Sequence, residues 1–171
     1  MPLILSKVAG VTASRESEDQ EVEPQLKSPF SYFGGKRKVA GRVWKRFGDV
    51  SSYVEPFCGS SVMLLLRPQP FVGAETINDW DGFVCNFWRA VRANPDEVAR
   101  YMDYPSFEND LHARHFWLVE RKESLQARLE GDPDFFDVKI AGWWCWGLGH
   151  WIGGGFCSGK GPWSVDDASG L

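Results

Sequence analysis

An α/β layer fold with a parallel sheet is the class this sequence predicts, and three observations carry it. Two short apolar runs, Tyr53-Val54-Glu55 and Val72 to Ile77, have the length and composition of strands. Each ends in a small polar turn, Pro56 to Gly59 after the first and Asn78-Asp79 after the second. Segments of helical periodicity precede, separate and follow them, and such alternation of strand and helix favours a layered parallel arrangement.

Gly10 to Ser28 is polar, acidic and without apolar periodicity, so residues 1–28 are expected to form a disordered acidic leader and 29–171 the folded region. Lys36 to Phe47 has a helical pattern, with Val39, Val43 and Phe47 on one face and Ala40 and Trp44 beside them. After the first strand and its turn, Ser60 is expected to cap an apolar helix through Val62, Met63, Leu64, Leu65 and Leu66. After the second, Asp81 to Arg92 and Asp96 to Met102 are two helices separated by Asn94-Pro95. Asn109 to Leu129 is a longer helical segment, and Phe135 to Trp146 a very aromatic one. Seven glycines then fall between Gly147 and Gly161.

Composition bounds the function. A chain of 171 residues with 43% hydrophobic and 25% charged residues can bury one sizeable core. Nine tryptophans imply large aromatic surfaces that must pack or stack on something. The net charge is −4, and −2 without the first 28 residues, so nucleic-acid binding requires a local patch and not bulk charge. Cys58, Cys85, Cys145 and Cys157 form no C-x-x-C pair and are expected to be reduced thiols in a cytoplasmic protein. Pro2 to Leu5 is too short for a signal sequence, and no run approaches the length of a membrane span.

The turn after the first strand carries the chemistry. Strand, tight glycine turn and helix N-terminus form a generic nucleotide cradle, because glycine admits close backbone approach and the helix start offers free N–H groups. Glu55 to Ser60 fits that pattern. An acidic residue at the end of the next strand can take ribose hydroxyls, and Asp79 lies 24 positions after Glu55. An ordinary strand-to-helix turn at Cys58-Gly59-Ser60, and a helix-capping Asp79, are the structural alternatives.

Three motifs in order resemble the D12 class, the Dam-like family, of adenine-specific DNA methyltransferases. Tyr32, Phe33, Gly34, Gly35 and Lys36 match its first segment, and Glu55, Pro56, Phe57, Gly59 and Ser60 its second. Asp79 matches the acidic ribose ligand, and Asn86-Phe87-Trp88-Arg89 the helix that follows. The resemblance spans about 30 to 165 and implies a Rossmann-like S-adenosylmethionine-dependent methyltransferase fold. Its sheet would be incomplete, flanked by helices, and followed by the start of a target-recognition region. It implies S-adenosylmethionine as cofactor, held by these residues, and double-stranded DNA as partner. Ser61 departs from the family's glycine.

The family's catalytic Asp-Pro-Pro-Tyr is missing, since no Pro-Pro occurs in the chain. The nearest string, Asp132-Pro133-Asp134-Phe135, lacks the second proline and falls within a helical connection. No residue is therefore assigned to catalysis. The expectation is a truncated or split adenine-N6 methyltransferase, inactive alone and joined by a second chain that carries the motif. The other class is a non-catalytic cofactor- or DNA-binding module. Recognition sequence and biological role, whether restriction-modification or another, are not legible.

Four further signals stand beside this. Lys36, Arg37, Lys38, Arg42, Lys45 and Arg46 put six basic residues in eleven positions, either a solvated helix face or a phosphate-contacting patch. The first four are the DNA-binding candidates. Trp143, Trp144, Trp146 and Trp151 with Phe156 are expected mainly in the core, with a base-stacking platform as the alternative. This Trp- and Gly-rich stretch looks similar in phage-type members of the family. Gly154 to Lys160 spells a phosphate-loop pattern, but Gly161 stands where Ser or Thr would hold magnesium. His112 and His115 have no fixed cysteine partners, so no metal site is assigned.

Overall fold

The computed structural model describes residues 26–32, 34–68, 72–152 and 156–157. The leader through residue 25, Phe33 and most of the glycine-rich stretch lie outside the described residues.

Among the described residues two strands form the sheet. β1 (Ser52–Glu55) and β2 (Ala74–Ile77) pair in parallel, with Ser52 opposite Ala74 and Glu55 opposite Ile77. Before them runs α1 (Arg37–Phe47), and between them α2 (Val62–Leu65). Five helices follow: α3 (Gly82–Ala93), α4 (Pro95–Met102), α5 (Glu108–Val119), α6 (Lys122–Gly131) and α7 (Val138–His150).

Several boundaries are set by local chemistry. Asp81 caps α3 by accepting from Phe83 N, and Asn94 caps α4 ahead of Pro95 at its first position. Asp137 accepts from Ile140 N, which starts the aromatic helix at Val138 and not at Phe135. The single helix expected over Asn109–Leu129 is two. It breaks at Glu120-Arg121, where Arg121 turns back to donate to the Trp117 carbonyl at 2.9 Å. No Gly or Pro marks that break, so periodicity ran through it.

The buried face of α1 also differs from the expectation. Ala40 and Trp44 are buried, while Val39 and Phe47 are exposed. The tryptophan decides the rotation, because its indole N–H must find an acceptor when buried. It donates to the Met63 carbonyl at 2.9 Å. Its ring lies 4.8 Å from Tyr53 and 4.9 Å from the Arg67 guanidinium, and Arg67 in turn reaches Glu75 at 3.1 Å.

The main core lies elsewhere, among α3 to α7. Trp144 is almost fully buried, edge-on to Phe30 at 5.0 Å and stacked on Phe83. Trp146 and Phe156 are buried too, and Trp143 and Trp151 partly so, as core packing of the aromatic cluster predicted. Gly142 lets α7 meet α4, since a Cβ there would stand 2.3 Å from that of Tyr101 and 2.8 Å from the Val98 carbonyl. Phe30 belongs to this core, which anchors the chain just before Tyr32.

Asn86 is fully buried on α3 and grips the start of α7 at both ends of its amide. It donates to the Asp137 carbonyl at 2.9 Å and accepts from the Asp137 N–H at 2.7 Å. Asn86→Ala would strand both backbone groups, a cost of about 1–3 kcal/mol each when buried. We expect the variant to lose about 2–4 kcal/mol in urea unfolding, with Asn86→Asp, which keeps the acceptor, losing less.

Candidate functional site

The turns after β1 and β2 meet at one node. Gly59 N donates to Asp79 Oδ2 at 2.8 Å, and Asp81 N donates to Asp79 Oδ1 at 3.1 Å. Both oxygens of Asp79 are thus fixed, each with acceptor capacity remaining. Capping of α3 falls to Asp81, which resolves the alternative role for Asp79. Cys58 N closes the same corner on the Asn78 carbonyl at 2.9 Å, and Asn78 Nδ2 donates to the Pro56 carbonyl at 3.0 Å.

Tyr32 covers the node. Its hydroxyl donates to Asp81 Oδ2 at 3.4 Å, and its ring lies directly over Gly59. A Cβ at Gly59 would stand 2.5 Å from Tyr32 Cδ1, and the residue has φ +47. Glycine is required there on both counts. Burial first, and then the charges of Asp81 and Asp79, push the Tyr32 phenol above its ordinary pKa, so it stays a donor. Gly35 N donates to the Tyr32 carbonyl at 3.0 Å, tightening this loop, while Gly34 stands exposed at φ +75.

Lys36 and Glu55 meet on one side of the node. Lys36 Nζ lies 3.5 Å from Glu55 Oε1 and 3.4 Å from the Phe57 carbonyl. Glu55 is 4% exposed. Both side chains line an open cavity of about 480 Å³, whose walls include Val54, Pro56, Phe57 and Phe47. On the other side Tyr32, Gly35 and buried Ser60 line a second cavity of about 550 Å³ with Arg37 and Lys27.

The cradle differs from expectation in one respect. Ser60 does not cap α2; the N-cap is Ser61, without a side-chain cap, and α2 has only four residues. One turn of helix sums few peptide dipoles, so the dipole contribution expected here is small. Ser61 sits at φ 50, ψ 29, fully buried. This left-handed conformation is what the family's glycine supplies without strain.

Sequence reasoning missed three residues that the fold brings here. Trp88 donates its indole N–H to the Gly59 carbonyl at 2.8 Å, and Cys85 Sγ reaches the Asp79 carbonyl at 3.2 Å. With Asp81 they occupy i, i+4 and i+7 of one α3 face, a spacing visible in the sequence. Trp80, between the two aspartates, is 83% exposed. Burial pushes the Cys58 thiol up to about 11, which leaves it a poor nucleophile at neutral pH.

The remaining candidates make no hydrogen bond or ion pair with the node among the described residues. Arg37, Lys38 and Arg42 are exposed on α1, as are Lys45 and Arg46. The Asp132-Pro133-Asp134-Phe135 string is held by Arg89, which donates to the carbonyls of Asp132 and Phe135 at 3.1 and 3.3 Å. It joins α6 to α7 and does not end a strand. His115 stacks on Trp151 at 4.5 Å. Among the described residues no three His, Cys, Asp or Glu gather as a metal-ligand set. No helix among them is long and apolar enough to cross a membrane.

A family model described as D12 class N6 adenine-specific DNA methyltransferase matches residues 32–130, more than half of the chain. The match begins at Tyr32, covers every node residue and runs through nearly all of α6. No curated protein and no solved structure matches the chain.

Two substitutions test the turn. Ser61→Gly should raise stability by about 1 kcal/mol, through relief of the left-handed strain. Gly59→Ala should lower it by about 2–4 kcal/mol, since the added methyl collides with Tyr32 at a positive φ. Urea midpoints at constant m-value read both.

Proposed function

This chain belongs to the D12 class of N6 adenine-specific DNA methyltransferases, and we propose that it is the part that holds S-adenosylmethionine for methyl transfer to adenine N6 in duplex DNA. The observation that carries this reading is the convergence of Tyr32, Gly59 and Asp79, from three separate segments, on one hydrogen-bonded corner.

The residues present fit the cofactor's chemistry. Asp79 keeps free lone pairs for ribose hydroxyls beside a backbone that only glycine allows. Glu55 is buried with Lys36 adjoining it, so the cavity they line offers both charges to an amino-acid zwitterion. Exposed Trp80 offers a ring face next to Asp79. Phe33, Gly34, Gly35, Pro56, Phe57 and Ser60 complete the segments assigned to the cofactor. When bound, S-adenosylmethionine supplies the sulfonium methyl group that the reaction moves. The chain's own side chains bind and orient.

Holding and stacking the adenine is assigned to residues outside this sequence, because it contains no Pro-Pro and Arg89 ties its nearest string into a helix connection. A second chain or segment with an Asp-Pro-Pro-Tyr loop would complete the enzyme. Lys36, Arg37, Lys38 and Arg42 would contact DNA phosphates beside the cofactor, in a cytoplasmic protein. The same missing motif favours a second reading, a non-catalytic module that binds cofactor or DNA.

Titration of the chain with S-adenosylmethionine by calorimetry and tryptophan fluorescence tests the cofactor assignment. We expect weak binding, reduced at least about tenfold, or 1.4 kcal/mol, in Asp79→Asn and in Lys36→Gln/Glu55→Gln, with circular dichroism unchanged. A wild-type chain that shows no binding at millimolar cofactor would sink the assignment. Incubated with labelled cofactor and mixed-sequence duplex, the chain alone should transfer no methyl group. Transfer to adenine would overturn the division of labour proposed here.

A further inference from the structure

A line of cations held on aromatic rings runs along the packed α5 and α7 helices. Arg114 and Trp117 lie one turn apart on α5, and Arg121 sits in the turn after it. Lys139, Trp143 and Trp146 share a face of α7 at i, i+4 and i+7. The guanidinium of Arg121 lies 3.9 Å from the Trp117 ring centre. Lys139 Nζ lies 4.8 Å from Trp117 and 4.3 Å from Trp143. Arg114 lies 5.1 Å from Trp143 and 4.2 Å from Trp146. Cation and ring therefore alternate without a gap.

The line is made of donors. Arg114 is 8% exposed, yet among the described residues it has no carboxylate partner and its Nη1 has no acceptor. Buried arginines are otherwise paired almost without exception. Trp143 Nε1 is likewise buried without an acceptor, and Lys139 has no ion-pair partner among the described residues. Arg121 alone meets a carboxylate, the exposed Glu120 at 3.4 Å. In a chain of net charge −4 this is a concentrated positive stripe whose ion-pair partner among the described residues is the exposed Glu120.

We propose that the α5–α7 stripe is a second DNA-contacting surface, on which Arg121 and Lys139 bind the phosphodiester backbone. A phosphodiester carries only acceptors and a full negative charge, the complement of a donor-only surface. The rings already fix the cations, so less side-chain entropy is lost on contact. Arg114, too buried to meet the backbone itself, adds charge beneath it. The inference rests on duplex DNA as the substrate and adds a contact independent of α1 and of the cofactor residues.

The test is equilibrium binding of the full chain to a fluorescent mixed-sequence duplex across about 50–200 mM salt. Each phosphate contact contributes about 0.9 to the slope of log affinity against log salt. Arg121→Gln/Lys139→Gln should lower that slope by about 1.8 and weaken binding, while Arg121→Lys/Lys139→Arg restores most of the slope. Duplex should also protect Lys139 of the unaltered chain from acetylation, a measurement that needs no folded variant. A slope unchanged by the glutamine pair, with Lys139 unprotected, overturns the inference and leaves the cofactor reading intact. Polyglutamate that competes as well as duplex at equal charge also overturns it, in favour of an acidic protein partner. Failure of the wild-type chain to bind S-adenosylmethionine, with the slope change still present, sinks the cofactor reading and sustains this one.

Discussion

The hydrogen bond from Gly59 N to Asp79 Oδ2 is the constraint on which the site depends. It ties the end of β1 to the end of β2 beyond the ladder, and it fixes where every matched segment meets. Through Asp81 N on the other oxygen it orients the start of α3, and through Trp88 on the Gly59 carbonyl it secures the middle of that helix. Tyr32 can lie over this corner only because Gly59 has no side chain. A small sheet thereby acquires a rigid end, where a nucleotide-type ligand needs fixed backbone.

Stability and function are distributed unequally over the chain. The main core belongs to α3 through α7 and to Phe30, with Trp144 at its centre. The two strands rest on a much smaller core of Ala40, Trp44, Tyr53 and Met63. Parallel strands are ordinarily covered on both faces, yet Val54 is 59% exposed and Phe57 73% among the described residues. The helical half thus supports the strand-bearing half through α3, whose one face packs into the core while its other face grips the two turns.

The chemistry divides in the same way. Everything that converges here is suited to holding a ligand: a braced carboxylate, a buried carboxylate beside a lysine, and a glycine turn. What an exocyclic amino group would need, a proline-stiffened loop with an aromatic ring, has no counterpart in this sequence. Orientation of two reactants contributes about 7–11 kcal/mol at its fullest.

The sequence by itself determined the family, the alternation of strand and helix around a parallel pair, and the residues proposed for the site. Period-two and period-3.6 patterns, with Asn94-Pro95 and the glycine turns as punctuation, are local properties, and so are Gly59 and Asp79 at their spacing. Ser61, flagged as a departure, occupies the strained left-handed position that gives the departure its physical meaning. Tertiary structure decided the rest. Which face of α1 is buried depended on where Trp44 could find an acceptor, the Met63 carbonyl 19 residues away. The break after Val119, where Arg121 donates to the Trp117 carbonyl, leaves no mark in composition. The cations of Arg114, Lys139 and Arg121 are scattered along the chain and form a stripe only when α5 packs on α7. Contacts between distant segments have no period, and so only the folded chain could show them.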